Sequence, residues 1–404
     1  MENKYFSSEE NIYNITEKYP ELIPLLVSKG FTPLQDEKKR KLMGSRINLK
    51  NAARLKGLKV EDLMKELEAE LDKIYGNGEG KEKKEIRVEG LVPCPVRIPL
   101  QEELDKFLTR LDNHVSLDLK AASQGVDWLE ERIRGGADGE ELADIFISAG
   151  FDLFFDRRLM DRYRRQGLFK DNTGIRNLNR IFTEQGLDLL DPEGDYSILA
   201  VVPAVFLVNK EELGERSIPK TWEDVLSEEF AGDVSLPVSD FDLFNAILIN
   251  IYKKYGEEGI ERLGRSMLKA QHPAQMIKEG GRKKSGEAAV TIMPYFFTRM
   301  ARRFPHFEFV WPADGAIISP IFMLTKRDSF PAIQPLVDFF ASRETGEIFA
   351  HQGLFPSVLE DIENQVPAGA RFMWPGWDFL RQEDPGKLIE DLTAKFHKSV
   401  KEVE

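Results

Sequence analysis

Cysteine and histidine are scarce in this chain of 404 residues. Cys94 is the single cysteine, and the histidines number five. One cysteine excludes an internal disulfide and a CxxC-based zinc site, and it provides no thiolate set for haem or an iron–sulfur cluster. The sequence also lacks a GxSxG, HExxH, Walker or strand-linked GxGxxG motif. These absences predict a protein that is not an enzyme and uses no cofactor and no bound metal.

Long apolar runs are absent too. No run reaches the ~18 residues that a membrane span requires. The stretch MENKYFSSEENIYNITEKYPELIP has neither a basic segment followed by an apolar one nor a small-residue cleavage site. The sequence therefore predicts a cytoplasmic protein without membrane insertion. A periplasmic or extracellular location is the alternative, if an export signal lies outside this sequence.

Positive charge is in deficit. The chain has 56 Lys and Arg against 69 Asp and Glu, which gives a net charge of −13. Such a chain is a poor general partner for nucleic acid or an anionic membrane. The basic run KKRK at 38–41 is a local exception, and a solvated helix face is favoured there over a patch for an acidic partner. A protein partner for this N-terminal part is a further hypothesis.

Apolar residues at helical spacing mark residues 1–75 as a small helical domain. A Gly-rich and then charged stretch at 76–85 has the composition of a linker. Residues 86–404 then form the third part of the chain. The apolar positions that carry the helical pattern include Ile12, Ile15, Tyr19, Leu22, Leu26, Leu63, Leu67 and Leu71.

Strands alternate with helices from residue 86 to the C-terminus, which predicts an α/β architecture with parallel sheets. The most informative stretch is 286–326, with apolar strands at 288–293, 306–311 and 317–324. An Asp-Gly turn at 314–315 joins the last two strands. Thr221 and Asp224 have the spacing of a capping box and predict a helix start. Such a connection between strands is what a chain needs to pass from one α/β lobe to another, so the pattern indicates ligand capture between lobes.

Phrases in this part of the chain, taken in order, resemble one family. Together they are similar to the type II solute-binding proteins of ABC importers, in the branch related to iron(III) and polyamine binding, over about residues 86–400. The N-terminal phrases YPELIPLLVSKGF and INLKNAARLKGLKVEDLMKELEAEL resemble a small helical domain of unknown function found in anaerobic bacteria. The phrases of the larger part are ADIFISAGFDLFF, AVVPAVFLVNKEEL, PKTWEDVLSEEFAGDVSLP, GEAAVTIMPYF, WPADGAIISPIFMLTKR and FFASRETGEIFAHQGLFPS.

The resemblance implies a bilobal, periplasmic-binding-protein-like type II fold with ligand in the cleft. Lobe 1 would comprise about 86–203 and 316–352, and lobe 2 about 209–312 with the C-terminal helices. Strands near 203–209 and 313–320 would cross between the lobes and act as a hinge. The resemblance also implies a small-molecule ligand and an ABC transporter permease as partners.

Eleven residues are candidates for the ligand site because they follow predicted strands or begin helices. Ligands of open α/β sheets bind beyond the carboxyl ends of the strands, and free helix N–H groups attract anions. Arg97 suits a carboxylate or phosphate and Asp314 an amine, with a surface ion pair and a turn residue as the respective alternatives. The set is Cys94, Arg97, Gly150, Phe151, Ser239, Asp240, His272, Tyr295, Phe296, Asp314 and Gly315.

Both signs of charge in this set predict a small zwitterion or organic anion, bound for ABC-type transport or cytosolic sensing. Iron(III), a metal chelate or a polyamine is the alternative ligand. The resemblance implies adjacent tyrosines for iron, and this chain has Tyr295 followed by Phe296 and Phe297. A cytosolic enzyme that uses Cys94 is the remaining alternative.

Overall fold

The chain was analysed as a computed structural model. The structure describes residues 3–75, 85–111, 113–121, 127–136, 139–151, 153–270 and 287–401, without the side chains at 73–75, 241 and 401. Two compact units are present. The first combines Met1–Glu85 with Asn172–Gly174 and Ser329–Pro335, and the second combines Ile86–Asp171, Ile175–Asp328 and Leu336–Glu404. The predicted linker at 76–85 lies almost wholly outside the described residues, so the three-part division stays a prediction.

The first unit is helical, as the sequence predicts. Asparagine or aspartate begins three of its helices, and each of these side chains accepts a hydrogen bond from the backbone N–H three residues on. These capping residues are Asn11, Asp36 and Asn48. The helices are α1 (Ile12–Lys18), α2 (Leu22–Ser28), α3 (Glu37–Gly44), α4 (Leu49–Leu55) and α5 (Val60–Tyr75).

The core of this unit surrounds Tyr19. Its ring lies 5.9 Å from the ring of Tyr5 and 5.3 Å from the ring of Phe330, and its hydroxyl donates a 2.9 Å hydrogen bond to the carbonyl of Tyr5. Gln334 donates to the carbonyl of Asn172 at 3.2 Å. The compact unit therefore includes residues beyond the predicted 1–75 segment. Buried around Tyr19 are Ile12, Ile15, Leu22, Leu26, Leu49, Leu63, Leu67 and Leu71.

The second unit is built on one ten-stranded sheet with the order β2-β1-β3-β9-β4-β7-β5-β6, in which β10 pairs with β9 and β8 with β4. The strands are β1 (Ile86–Val92), β2 (Val115–Ala121), β3 (Ile145–Ala149), β4 (Tyr196–Asn209), β5 (Val234–Leu236), β6 (Met267–Ala270), β7 (Val290–Pro294), β8 (Phe307–Val310), β9 (Ala316–Thr325) and β10 (Phe372–Met373).

Helices cover this sheet. Thr221 and Asp224 form the predicted capping box at the start of one of them. The helices are α6 (Cys94–Leu108), α7 (Asp127–Gly135), α8 (Arg157–Arg165), α9 (Arg180–Thr183), α10 (Lys210–Leu213), α11 (Trp222–Val225), α12 (Phe241–Ser266), α13 (Thr298–Ala301), α14 (Gln334–Phe340, which begins in the first unit), α15 (Arg343–Glu347), α16 (Trp377–Gln382) and α17 (Pro385–Lys401).

β4 and β9 are the two crossing strands that the sequence predicts. They are antiparallel to each other, with Tyr196 opposite Leu324 and Ala204 opposite Ile317. β9 also pairs with β3, while the far end of β4 pairs with β7 and β8. The two strands therefore join one half of the sheet, β1 to β3, to the other half, β5 to β8, and the fold is bilobal.

The prediction of parallel sheets holds only within each half. β1 is parallel to β2 and β3, and β5 is parallel to β6 and β7. The central pairs are antiparallel because β4 and β9 cross between the halves in opposite directions. The long helix α12 continues to Ser266 beyond a break at Gly256, where φ is 67°.

Candidate functional site

A helical turn follows directly after β7. Tyr295–Phe297 form one turn of 3₁₀-helix, and α13 begins at Thr298, whose hydroxyl donates to the Tyr295 carbonyl at 2.8 Å. Residues four and seven positions after Tyr295 lie on the same side of such a turn as Tyr295 itself. Those residues are Arg299 and Arg302. The local helix therefore aligns one phenol and two guanidinium groups.

These three side chains line a pocket of about 360 Å³. The opposite wall comes from the segment that follows α15, which lies more than fifty positions further along the chain. Among the described residues, the lining contains two arginines and no acid. The residues are Tyr295, Arg299, Arg302, Phe309, Leu354, Gln365, Val366 and Pro367.

Aromatic rings support the phenol from behind. Tyr295 is 5% exposed, and its ring lies 5.4 Å from the ring of Phe309 and 5.2 Å from that of Trp311. Burial raises the pKa of the Tyr295 hydroxyl, although Arg302 and Arg299 act in the opposite direction. The phenol is therefore a neutral O–H at physiological pH and can donate a hydrogen bond to an anion.

The two arginines differ in their contacts. Arg299 fastens the two walls together, because its guanidinium donates to the carbonyl of Gln352 at 3.0 Å, to the carbonyl of His351, and to the side-chain oxygen of Gln365 at 3.3 Å. Arg302 is exposed. Within the described residues, no hydrogen bond or ion pair of the Arg302 guanidinium is seen. Arg302 is therefore available to a solute.

Gly150 and Phe151 lie at the carboxyl end of β3, as predicted. A Cβ on Gly150 would lie 2.9 Å from the Cα of Asp242, so this end of β3 directly meets the first turn of α12. Phe151 is fully buried, and its ring lies 5.4 Å from that of Trp374. Ser239 is exposed and Asp240 half-buried, immediately before α12.

Asp314 and Gly315 have structural contacts. The Asp314 carboxylate accepts from the backbone N–H of Trp222 at 3.2 and 3.3 Å and from the Lys254 ammonium at 2.7 Å. The Gly315 carbonyl accepts a 2.9 Å hydrogen bond from the Trp222 indole. These contacts hold the start of α11. Ligand binding by Asp314 and Gly315 stays a prediction.

Cys94 and Arg97 are exposed on the first turn of α6. This turn lies beside the pocket wall, because a Cβ on Gly353 would be 2.6 Å from Val96, and Leu354 lines the pocket. Neither Cys94 nor Arg97 is itself a lining residue.

Tyr295 thus lines the pocket, and Phe296 is half-buried with its ring 5.4 Å from that of Phe297. His272 lies outside the described residues. Ligand binding by the predicted set stays a prediction. Arg299 and Arg302 were missed, although their spacing after Tyr295 is visible in the sequence. Gln365 gives no local signal.

No group of three or more His, Cys, Asp or Glu side chains in the described ranges is placed to hold a metal ion. None of the helices described here has the length and apolar character of a membrane span.

The crossing strands, the two sheet halves and the pocket beyond β7 define a type II periplasmic-binding-protein-like fold. Residues 140–383 match the family described as bacterial extracellular solute-binding protein, and the chain belongs to that family. Residues 7–64 match a domain of unknown function, DUF1858. Both resemblances expected from the sequence are confirmed. No curated protein matches the chain.

Solved structures with this fold share little sequence with the chain. A Trichodesmium protein, IdiA or FutA, in complex with iron and citrate has 14% identity and a TM-score of 0.54, covering 78% of this chain and 99% of its own. AfuA from Actinobacillus pleuropneumoniae, with fructose-6-phosphate bound, has 14% identity and a TM-score of 0.53, covering 79% and 99%. A substrate binding protein from Agrobacterium tumefaciens has 16% identity and a TM-score of 0.53, covering 78% and 95%. At this identity the likeness is one of fold.

The family corrects one expectation. A cytoplasmic location is not supported, because the matching family is described as extracellular. The periplasmic or extracellular alternative is the one that the family supports.

Proposed function

We propose that this solute-binding protein captures a small organic anion in the pocket of Tyr295, Arg299 and Arg302. One observation carries the proposal: two guanidinium groups and a neutral phenol face a pocket whose lining has no acid. Guanidinium groups bind carboxylates and phosphates through paired, charge-assisted hydrogen bonds. A solute with such a group would neutralise the pocket, and the aromatic wall would cover its apolar part.

The size of the pocket limits the solute. A volume of about 360 Å³ lies at the lower end of the range for small-molecule sites, which begins near ~300 Å³. Sugar phosphates and small polycarboxylates have the anionic groups and dimensions that fit such a site. AfuA is solved with fructose-6-phosphate and the Trichodesmium protein with iron and citrate, and both compounds are suitable probes.

Cationic solutes suit this pocket less. Arg299 and Arg302 would repel a polyamine or a bare metal cation. Iron held by one phenolate would first require Tyr295 to ionise, and burial raises the pKa of that phenol. A metal chelate with surplus carboxylates stays within the proposal, since its outer surface is anionic.

Calorimetry on the full chain tests the proposal. The protein would first be denatured so that mass spectrometry can identify any solute that co-purifies. It would then be titrated with fructose-6-phosphate, citrate, ferric citrate and spermidine, and with the co-purifying compound if there is one. Arg302→Gln should weaken anion binding by about 1.5–3 kcal/mol, or roughly 10- to 150-fold.

Arg303→Gln is the matched control. Arg303 is also exposed and adjacent in sequence, but its guanidinium donates to the Met300 carbonyl at 3.1 Å and lines no part of the pocket. Equal losses of anion affinity in the two variants would show that the effect comes from the overall charge of the protein and not from Arg302 in particular. Binding of spermidine alone, unaffected by Arg302→Gln, would contradict the proposal.

The same proposal includes transport. A solute-binding protein of this family would deliver its anion to an ABC transporter permease from outside the cytoplasmic membrane, without catalysis. Fractionation of cells that express the complete gene tests the location. Recovery only in the cytosol would favour the alternative role in intracellular sensing, and solute turnover abolished by alkylation of Cys94 would favour an enzyme.

A further inference from the structure

Charge is distributed unevenly along this acidic chain. Residues 38–59 contain nine Lys and Arg residues and no Asp or Glu, whereas the whole chain has a net charge of −13. The segment comprises most of α3, all of α4 and the turns beside them. These helices have only eight and seven residues, so they are roughly 12 and 10 Å long. The cations are therefore concentrated on a small part of the first unit.

The exposed face of α3 combines cations with large apolar side chains. Lys38, Lys39 and Lys41 are exposed, Leu42 is 60% exposed and Met43 is 53% exposed. Leu42 lies four residues after Lys38, and Met43 lies four after Lys39, so each apolar side chain has a lysine beside it on the helix surface. This arrangement is not that of an ordinary solvated helix face, in which apolar residues point inward.

The end of α4 repeats the same combination. Leu55 is 78% exposed, and exposed Arg54, Lys56 and Lys59 lie around it in sequence. Three of the five large apolar side chains that are exposed among the described residues thus fall in this short segment. We call the exposed cations and large apolar residues of the segment the basic surface: Lys38, Lys39, Lys41, Leu42, Met43, Arg46, Arg54, Leu55, Lys56 and Lys59.

The ion pairs seen in this segment involve cations outside the basic surface. Arg40 pairs with Glu17 at 3.1 Å and Lys50 with Glu9 at 2.6 Å, and both cations lie outside the set. Among the residues that the structure describes, the seven cations of the basic surface form no ion pair. Their charge is therefore presented to solvent together with the apolar side chains.

We propose that the basic surface binds the headgroups of an anionic lipid membrane. Clusters of four to eight lysines and arginines bind anionic lipids, and exposed aliphatic side chains beside them enter the headgroup boundary. Five of the seven cations are lysines. Lysine is depleted in protein–protein interfaces, and its flexible stem reaches a lipid surface while its ammonium stays in water. The composition thus favours lipid over an acidic protein.

The net charge of the whole chain does not oppose this contact. Screening at physiological salt limits electrostatic interactions to about 8 Å between exposed groups. An anionic surface therefore interacts with the residues that touch it and not with distant acids. Binding at this surface is peripheral and requires no membrane span.

Co-sedimentation of the full chain with vesicles tests the proposal. The protein should sediment with vesicles of equal parts phosphatidylglycerol and phosphatidylcholine, less so at high salt, and not with phosphatidylcholine alone. Changing Lys38, Lys39 and Lys41 together to glutamine should weaken the vesicle partition by on the order of 100-fold. Leu42→Ser with Met43→Ser should weaken it roughly tenfold, because those side chains would no longer be buried in lipid.

A second triple variant is the charge-matched control. Lys210, Lys220 and Lys398 are exposed lysines elsewhere in the chain, and their change to glutamine should leave vesicle binding unaltered. Equal losses in both triple variants, or no binding to the anionic vesicles, would overturn the proposal. A third outcome is that the wild type binds a polyglutamate resin but no vesicles, and that the first triple variant no longer binds the resin. This outcome would identify an acidic polypeptide as the partner and would also overturn the lipid proposal.

Discussion

Replacement of Gly150 by alanine tests the close approach between β3 and α12. Gly150 has φ of +91° and donates its N–H to the Pro320 carbonyl at 2.9 Å. An added Cβ would lie 2.9 Å from the Cα and 3.2 Å from the Cβ of Asp242, which are not atoms that a flexible side chain can move away. A left-handed conformation costs an alanine roughly 1–2 kcal/mol, and overpacking adds typically ~1–3 kcal/mol. We expect Gly150→Ala to lower the unfolding free energy by roughly 2–5 kcal/mol.

Gly232→Ala separates the two contributions. Gly232 has φ of +66°, and a Cβ there would meet nothing within 4 Å. Its replacement should therefore show only the conformational cost of roughly 1–2 kcal/mol. Urea unfolding of wild type and both variants measures the difference. If the two variants were equally stable, the reasoning from the contact with Asp242 would be refuted, and with it the inference that the halves of the fold approach closely at Gly150.

Two further predictions concern the carboxylate of Asp314 and the phenol of Tyr295. Asp314→Asn should lower the unfolding free energy by about 1–3 kcal/mol, because it weakens a lysine ion pair and the hydrogen bonds to the Trp222 backbone. Its solute affinity should stay unchanged in calorimetry, and a selective loss of affinity for amine-bearing solutes would instead support Asp314 as a ligand residue. For Tyr295, burial raises the phenol pKa in the folded state, so the unfolded phenol ionises first, near pH ~10. The stabilisation from this group is present below that pH and is lost above it. The stability of wild type should therefore fall relative to that of Tyr295→Phe as the pH rises above ~10 in urea titrations, and a difference that is constant with pH would contradict this.

Most strands were predictable because each is an apolar run with a turn residue after it. The run at 317–324 became β9, and the run at 288–293 became β7. β4 continues through Pro203, which has no backbone N–H to donate. Pro203 pairs with β9 on one side and lies just before the first residue of β4 that pairs with β7 on the other. The missing N–H therefore falls where β4 changes partners.

The site was predictable only in part. Tyr295 was found because it follows a strand, and that rule depends on sheet geometry alone. Residues 365–367 form a pocket wall because the chain after α15 returns across the fold. A hydrogen bond from the Val201 N–H to the Pro356 carbonyl marks this return. No local pattern encodes such a return. The contacts of Asp314 were not predictable because its partners, Trp222 and Lys254, lie far away in sequence.

The two proposals depend on separate parts of the chain and can fail separately. Arg302 belongs to the second unit, whereas the basic surface belongs to the first. A variant that loses solute and still sediments with vesicles would therefore contradict nothing in the lipid proposal. Likewise, a variant that loses vesicle binding and still binds solute would contradict nothing in the pocket proposal. Both inferences rest on cations that are exposed and, in the part of the chain that the structure describes, form no ion pair, although the chain has a net charge of −13. Other exposed cations, such as Lys210 and Arg303, differ in their setting, because they neither line the pocket nor lie beside the exposed apolar side chains of α3 and α4.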